Sequence, residues 1–205
     1  ANPVRMTSQA ADSMTLPTLV RDRRFVLYTV AMMLSLLAVQ GVIAHRVARF
    51  EETGFPVTTV ALWAAVASAM SLPGRWIAPR LAVRFGATRV QALIAAIVAA
   101  SVLLMVDGTS QSQMISHFFL FGLAFGAMVP LRAMVMGGWF SGPGYGRIMG
   151  TQWTAVVLVA AAGPFLVGTI RDTTGDYSMS FYLLAAVLFA AAFVIAVSGR
   201  RELTH

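Results

Sequence analysis

The stretch PGRWIAPRLAVRFGATRV, Pro73–Val90, decides the fold. It holds four arginines and no acid, and it lies between two apolar runs that could each cross a bilayer. The arginines are Arg75, Arg80, Arg84 and Arg89. Arginine is costly in hydrocarbon and is retained on the cytoplasmic side of membranes. We therefore expect a cytoplasmic loop here, and counting crossings then places every other loop.

The composition favours a membrane protein. Hydrophobic residues make up 58% and charged residues 11% of the chain, whereas a soluble domain has about 25% charged residues. The net charge is +7, but no basic face with interleaved aromatic residues indicates nucleic acid. The lack of cysteine excludes disulfides and thiolate metal sites. Three scattered histidines predict no metal site, and nothing predicts a cofactor.

Six apolar segments predict six membrane-spanning helices, because each is near the ~20 residues that cross ~30 Å of hydrocarbon. They cover about 25–44, 57–77, 90–106, 117–140, 148–170 and 177–198. Residues 1–24 are polar and irregular, and we expect a cytoplasmic tail or a linker there. Residues 199–205 are expected to form a second cytoplasmic tail. The predicted fold class is all-α, integral membrane.

The arginines are distributed unequally between the two sides of the membrane. With alternating segments, ten lie on the side of the quoted stretch and three, Arg46, Arg49 and Arg171, on the other. The ten are Arg21, Arg23, Arg24, Arg75, Arg80, Arg84, Arg89, Arg147, Arg200 and Arg201. This positive-inside bias predicts that both termini are cytoplasmic. The expected location is a plasma membrane, that of a bacterium.

Polar residues divide the segments into two classes. The third and sixth segments contain almost nothing polar, whereas the other four carry amide, tryptophan or arginine side chains. Polar groups avoid lipid because hydrocarbon offers no hydrogen-bond partner. We expect segments three and six to be peripheral and the other four to form cavity walls. The division repeats every three segments, as in two inverted three-helix repeats.

Two sequence motifs carry a family resemblance. PRLAVRFGATR resembles the basic loop motif of the major facilitator superfamily, G-x-L-x-D-R-x-G-R-[RK]-[RK]. Leu81, Arg84, Gly86 and Arg89 match it, and valine replaces the gating aspartate. TQWTAVVLVAAAGPFLVGTIRDTTGDY looks like the run GP-x-x-x-G-x-x-x-D-x-x-G-x-Y that closes helix eleven in many bacterial members. The residues that match the second motif are Gly163, Pro164, Gly168, Asp172, Gly175 and Tyr177.

The resemblance covers residues 25–198 and implies helices seven to twelve of a twelve-helix transporter. The stretch GVIAHRVARFEETGFP looks like the end of helix seven in the monocarboxylate and oxalate–formate carriers, the branch that the chain resembles most. The implied function is alternating-access transport of a small solute, such as an organic anion, and not an enzymatic reaction. The implied partners are the bilayer, the solute, and a second bundle, which is either an N-terminal six-helix half or a second copy of the chain. A proton is one candidate for the coupling ion.

Two other functions stay open. Efflux of a small amphipathic or drug-like compound would suit a cavity rich in Met, Phe and Trp. A six-helix scaffold or pore subunit that acts as a homodimer belongs to another class. An intramembrane serine protease is disfavoured, because Ser141 and His117 are expected at opposite ends of the membrane.

Arg132 is the most informative single residue of the sequence. It follows Pro130 by two residues inside the fourth segment, and a proline there predicts a helix kink. Arginine beside a broken turn suits a substrate carboxylate or phosphate, or an acid in a partner bundle. The alternative is that the side chain snorkels to the cytoplasmic end of the helix.

Further candidates lie on the four polar segments. Gln40, Trp63, Gln152 and Trp153 are predicted to line a substrate path, or else to serve in interhelical bonds and interfacial anchoring. Kinking or packing is expected at Pro130, Gly163, Pro164, Gly168 and Asp172. Packing through small residues is expected at Gly122, Gly126, Gly142, Gly146 and Gly150. His45 and His117 are expected to be solvated near the outer loops, with proton coupling through His45 as the alternative.

Overall fold

The computed structural model describes residues 16–199, which form helices and short connections without a strand. The helices are α1 (Leu16–Arg21), α2 (Arg23–Glu52), α3 (Val57–Phe85), α4 (Ala87–Asp107), α5 (Gln111–Trp139), α6 (Tyr145–Ala160), α7 (Ala162–Thr174) and α8 (Ser178–Ser198). Six spans are long and apolar enough to cross a membrane, with α6 and α7 together forming the fifth. The chain is an all-α, multi-pass membrane protein.

The helices extend beyond the apolar segments of the sequence. α2 continues to Glu52, and α3 continues through most of the arginine-rich stretch to Phe85. Only Gly86, with φ of 91°, separates α3 from α4. The prediction of a loop at residues 78–89 is therefore wrong, because side chains at the polar ends of a span do not prevent the backbone from remaining helical.

The N-terminal region also differs from the prediction. Residues Leu16–Arg21 form a helix, and Leu19 is buried in the core, so this part is not irregular. The carboxylate of Asp22 then caps α2 by accepting hydrogen bonds from the amides of Arg24 and Phe25. The predicted tails at 1–15 and 200–205, with Arg200 and Arg201, lie outside the described residues.

The fifth span is interrupted at Ala161. Pro164 lacks an N–H, and its ring clashes with the carbonyl group four residues earlier, that of Ala160. α6 ends at this residue and α7 begins at Ala162. α5, in contrast, remains one continuous helix through Pro130. The two prolines therefore affect their helices differently.

The packing of the helices repeats after three spans. The first span of each group contacts the second and third spans of the other group. α5 packs against α3 and α4, and α2 packs against α6–α7 and α8 in the same way. α4 and α8 also pack against each other. Because each group contains three crossings, the second group runs in the opposite direction. This is the arrangement of two inverted three-helix repeats.

Glycines permit the corresponding close approach in both repeats. A methyl group at Gly126 of α5 would overlap the backbone of Ser71 in α3, and one at Gly163 of α7 would overlap the backbone of Leu37 in α2. Gly122 packs against Ala67 of α3 in the same way. The packing role predicted for Gly122 and Gly126 is therefore confirmed. At Gly146 and Gly150 a methyl group would meet nothing within 4 Å, so the prediction of packing there is wrong.

The two ends of the bundle differ in their contacts. At one end, called the Tyr28 end, the Tyr28 hydroxyl donates to Gln91 Oε1 at 2.6 Å. At the other, called the Asp176 end, Arg49 donates to the Asp176 carboxylate at 3.1 Å and to the last carbonyls of α4. Arg171 pairs with Glu52 at 2.8 Å. These contacts join α2 to α4, α7 and the start of α8.

Hydrogen bonding, mainly from Ser178, lowers the pKa of Asp176 from its ordinary value of 3.8. The amide of Tyr177 and the guanidinium of Arg49 contribute to the same shift. Asp176 is therefore ionised under ordinary conditions and available to Arg49.

Candidate functional site

The Arg132 side chain is held in place by α6. It is buried on α5, where its Nε donates to Gln152 Oε1 at 2.8 Å and its Nη2 donates to the Met149 carbonyl at 2.9 Å. A guanidinium has five N–H groups, so three remain after these two bonds. The side chain is directed to a neighbouring helix, an arrangement that disfavours the snorkelling interpretation.

α6 supplies all three partners of Arg132 from one face. Met149, Gln152 and Trp153 follow the spacing i, i+3, i+4, which brings side chains together on a helix. The Arg132 guanidinium lies 4.6 Å from the centroid of the Trp153 ring, a cation–π contact. Gln152 is fully buried behind Arg132. The amide thus positions the guanidinium, and the indole covers one of its faces.

A cavity of about 250 Å³, called the Arg132 cavity, opens between α2, α5 and α6. Its charged and polar residues are Gln40, Arg132 and Trp153. Its apolar residues are Met32, Leu36, Phe125, Met128, Val129, Val157 and Ala160. Mostly apolar walls with a few polar groups are typical of small-molecule sites.

The structure brings together four of the five predicted path residues. Gln40, Arg132 and Trp153 line the cavity, and Gln152 contacts Arg132 from behind. Trp63 instead packs against the hydrophobic core and lines neither of the cavities described in this section. The sequence could not show whether Trp63 contacts the core or a cavity, because that depends on how α3 packs.

A second cavity, of about 350 Å³ and called the Arg46 cavity, lies between α2, α3 and α5. It is lined by Ile43, Arg46, Ala67, Ser68, Ser71, Arg75, Phe121, Gly122 and Phe125. Phe125 lines both cavities, which therefore adjoin. The four spans with polar residues form the walls, and neither α4 nor α8 contributes to them, as the polar pattern predicts.

The sequence did not identify Arg46 and Arg75 as candidate site residues, because both were counted with the loops. In the structure they lie within α2 and α3. The sequence contains a pattern that could have identified Arg75: Ser68, Ser71 and Arg75 follow the spacing i, i+3, i+7 and so share one helix face. Arg46 becomes a wall residue because α2 extends beyond the predicted segment. Arg75, already inside the second predicted segment, borders the cavity from α3.

No acid lines either cavity. The acidic residues in 16–199 lie at helix ends or in connections: Asp22, Glu51, Glu52, Asp107, Asp172 and Asp176. The hydroxyls of Ser68 and Ser71 donate to backbone carbonyls of their own helix. The side-chain charges on the joined cavities are therefore all guanidinium groups, which favours anions.

Both predictions for the histidines are wrong. His45 is half-buried on α2, with Nε2 donating to the Pro164 carbonyl at 3.0 Å and Nδ1 3.4 Å from Tyr177 Oη. His117 is fully buried, and its Nδ1 donates to the Ser101 carbonyl at 2.8 Å. Each histidine thus joins two spans.

The remaining motif residues lie apart from the joined cavities. Leu81 and Arg84 are exposed near the end of α3, and Arg89 is exposed in the first turn of α4. Asp172 is exposed on α7, and Gly168 lies beside His45. Within residues 16–199, no group of three or more His, Asp or Glu side chains could hold a metal ion.

Comparison with known proteins gives no family assignment. No protein-family model matches the chain, and no curated protein matches it.

Proposed function

We propose that the chain is half of a secondary transporter of the major facilitator type, which carries a small organic anion by alternating access. The observation that carries the proposal is Arg132, fixed by Gln152 and Met149 with N–H groups left over beside a mostly apolar cavity. A carboxylate can accept two parallel N–H bonds from one guanidinium. A monocarboxylate with a short apolar body matches both the charge and the walls.

The energetics of buried arginine support an anionic solute. An arginine at the centre of a membrane helix costs about 2.5–3.5 kcal/mol on insertion scales. In this chain three arginines line the cavities, where no acid offsets their charge. An anion that enters the cavities supplies the missing negative charge. The same charges disfavour organic cations as substrates.

The exposure of two spans supports a partner bundle. Only 22% of the apolar stretch is buried in α3 and in α6–α7, against 44–56% in the other spans. α3 carries a wall of the Arg46 cavity, and α6 carries a wall of the Arg132 cavity. A second six-helix bundle, from the same polypeptide or from a second copy, would close the cavities and allow rocking between two states. We place both termini in the cytoplasm and the protein in a bacterial plasma membrane, with a proton as the candidate coupling ion.

A second candidate is efflux of a small amphipathic compound. The apolar lining of the Arg132 cavity, with Met32, Met128 and Val157, favours it. The two candidates differ in the charge that the solute must carry.

The test is uptake of labelled L-lactate into proteoliposomes that contain the intact protein. We expect saturable, gradient-dependent uptake that acetate, pyruvate and succinate inhibit and tetraphenylphosphonium does not. Inhibition by the lipophilic cation alone would favour the amphipathic substrate. Uptake no faster than in empty liposomes for all these anions would contradict the proposal.

A further inference from the structure

The Arg46 cavity brings two arginines to one space from opposite directions. α2 and α3 are consecutive spans, and helical side chains lean towards the N-terminus of their own helix. Arg46, near the Asp176 end of α2, therefore leans towards the middle of the bundle, and Arg75 leans towards Ser71 and the Asp176 end. Both line the same 350 Å³. The two guanidinium groups thus face one cavity.

Neither guanidinium is neutralised within the described residues. Arg46 lies over the rings of Phe118 and Phe121, with 5.2 and 5.3 Å to the centroids. These contacts leave its N–H groups without an acceptor among residues 16–199. Arg75 borders the cavity, is exposed, and has no hydrogen bond within residues 16–199. Two like charges beside one cavity repel unless an anion lies between them.

The Arg46 cavity is separate from the guanidinium of Arg132. Phe121, beneath Arg46, precedes Arg132 on α5 by three helical turns, or about 16 Å along the axis. Phe125 lies between the two cavities and lines both. Arg75 lies nearer to the level of Arg132, because Ser71 packs against Gly126. The separation therefore belongs to Arg46: a solute of lactate size held over Phe121 does not also contact the Arg132 guanidinium.

We propose that Arg46 and Arg75 form a second anion site, which binds a small carboxylate independently of Arg132. The inference rests on the proposed function, because it assigns the same transported anion a second position along the cavities. Phe121 and Phe125 would cover the apolar part of the solute, and the two guanidinium groups would bind its carboxylate oxygens. The solute then reaches Arg132 past Phe125.

Chemical modification of individual arginines tests the proposal in the intact protein. Phenylglyoxal reacts with accessible arginines, and peptide mass spectrometry measures the rate at each position. The probes are succinate, L-lactate and sulfate, with potassium chloride at equal ionic strength as the reference. At ten times the Kd of a probe, we expect modification of Arg46 and Arg75 to slow about tenfold, because only the unoccupied fraction reacts. Arg84, exposed and remote, should be unaffected.

The same measurement on Arg132→Gln separates the two sites. We expect Arg46 and Arg75 to remain protected in this variant, and Arg132→Lys serves if the glutamine variant does not fold. Loss of protection of Arg46 and Arg75 in the folded variant would mean one site and overturn the proposal. Normal uptake without protection of Arg46 and Arg75 would overturn this inference alone. Protection of Arg46 and Arg75 without any uptake would support the anion site but overturn the proposed transport function. Protection of none of the three arginines would overturn both.

Discussion

Arg132 Nε donates to Gln152 Oε1 at 2.8 Å, and this bond joins α5 to α6 at the wall of the Arg132 cavity. The partner is an amide and not a carboxylate, so the guanidinium is oriented without being neutralised. A buried carboxylate would stabilise the charge more strongly, but it would also compete with an anionic solute. The neutral partner is therefore central to the proposed function.

Gln152→Glu tests this relationship. The carboxylate would pair with Arg132 and remove the net positive charge, so we expect the protein to fold and the KM for lactate to rise. A hydrogen bond to a charged group contributes about 1.5–3 kcal/mol, which corresponds to a rise of roughly 10- to 100-fold. Gln113→Glu, in the capping box of α5, is the matched control. An unchanged KM in Gln152→Glu would show that the charge of Arg132 does not bind the solute.

Trp153→Leu tests the cation–π contact. The substitution removes the ring that lies 4.6 Å from the Arg132 guanidinium. A cation–π contact contributes about 0.5–2 kcal/mol, so we expect the KM to rise roughly 2- to 30-fold. Trp63→Leu is the control, because Trp63 packs against the core. We expect Trp63→Leu to lower the melting temperature and leave the KM unchanged. The opposite pattern would place the solute path along α3.

Gly126→Ala and Gly150→Ala test the close crossing of α3 and α5. The new methyl group at position 126 overlaps the Ser71 backbone, and overpacking costs about 1–3 kcal/mol. The methyl group at position 150 meets nothing within 4 Å, and alanine is favoured over glycine in a helix by about 1 kcal/mol. We therefore expect Gly150→Ala to have a higher melting temperature than Gly126→Ala when both are unfolded in the same detergent. Equal melting temperatures would contradict the packing described here.

The Asp176 carboxylate gives the stability a pH dependence. Its pKa is lowered in the folded protein, so its contribution is present above 3.8 and is lost as the pH falls through the lowered pKa. At neutral pH we expect the wild type to have a higher melting temperature than Asp176→Asn. The difference should become smaller at a pH below 3.8, the ordinary pKa of the carboxyl group. Asp172→Asn, an exposed residue at the same end, should melt like wild type at neutral pH. A difference that grows on acidification would contradict the assignment.

The sequence predicts the six spans and most of the Arg132 site, because hydropathy and polar residues report directly on contact with lipid. Gln40, Arg132, Gln152 and Trp153 stand out as polar groups in apolar helices. The sequence could not show that Gln152 is the partner of Arg132, since the two lie on different helices. That contact depends on how α5 and α6 pack.

The sequence failed where charge marked the end of a segment. Hydropathy ended the first two segments before Arg46 and close to Arg75, although the helices continue to Glu52 and Phe85. Backbone hydrogen bonding, unlike hydropathy, does not stop at the first charged side chain. His117 was misassigned for a different reason: its burial depends on the aromatic residues Phe50 and Phe118 from two helices, and the sequence does not show that they meet.

The most direct test of the central claim is lactate uptake by intact protein that carries Arg132→Gln, compared with wild type and Arg84→Gln in proteoliposomes. Losing a hydrogen-bonded charge is expected to reduce kcat/KM by roughly 10- to 100-fold. Arg132→Lys should retain part of the uptake, since it keeps the charge but not the bidentate geometry. Arg84→Gln should transport like wild type. Saturable anion uptake that is unchanged in Arg132→Gln, at equal amounts of folded protein, would contradict the account.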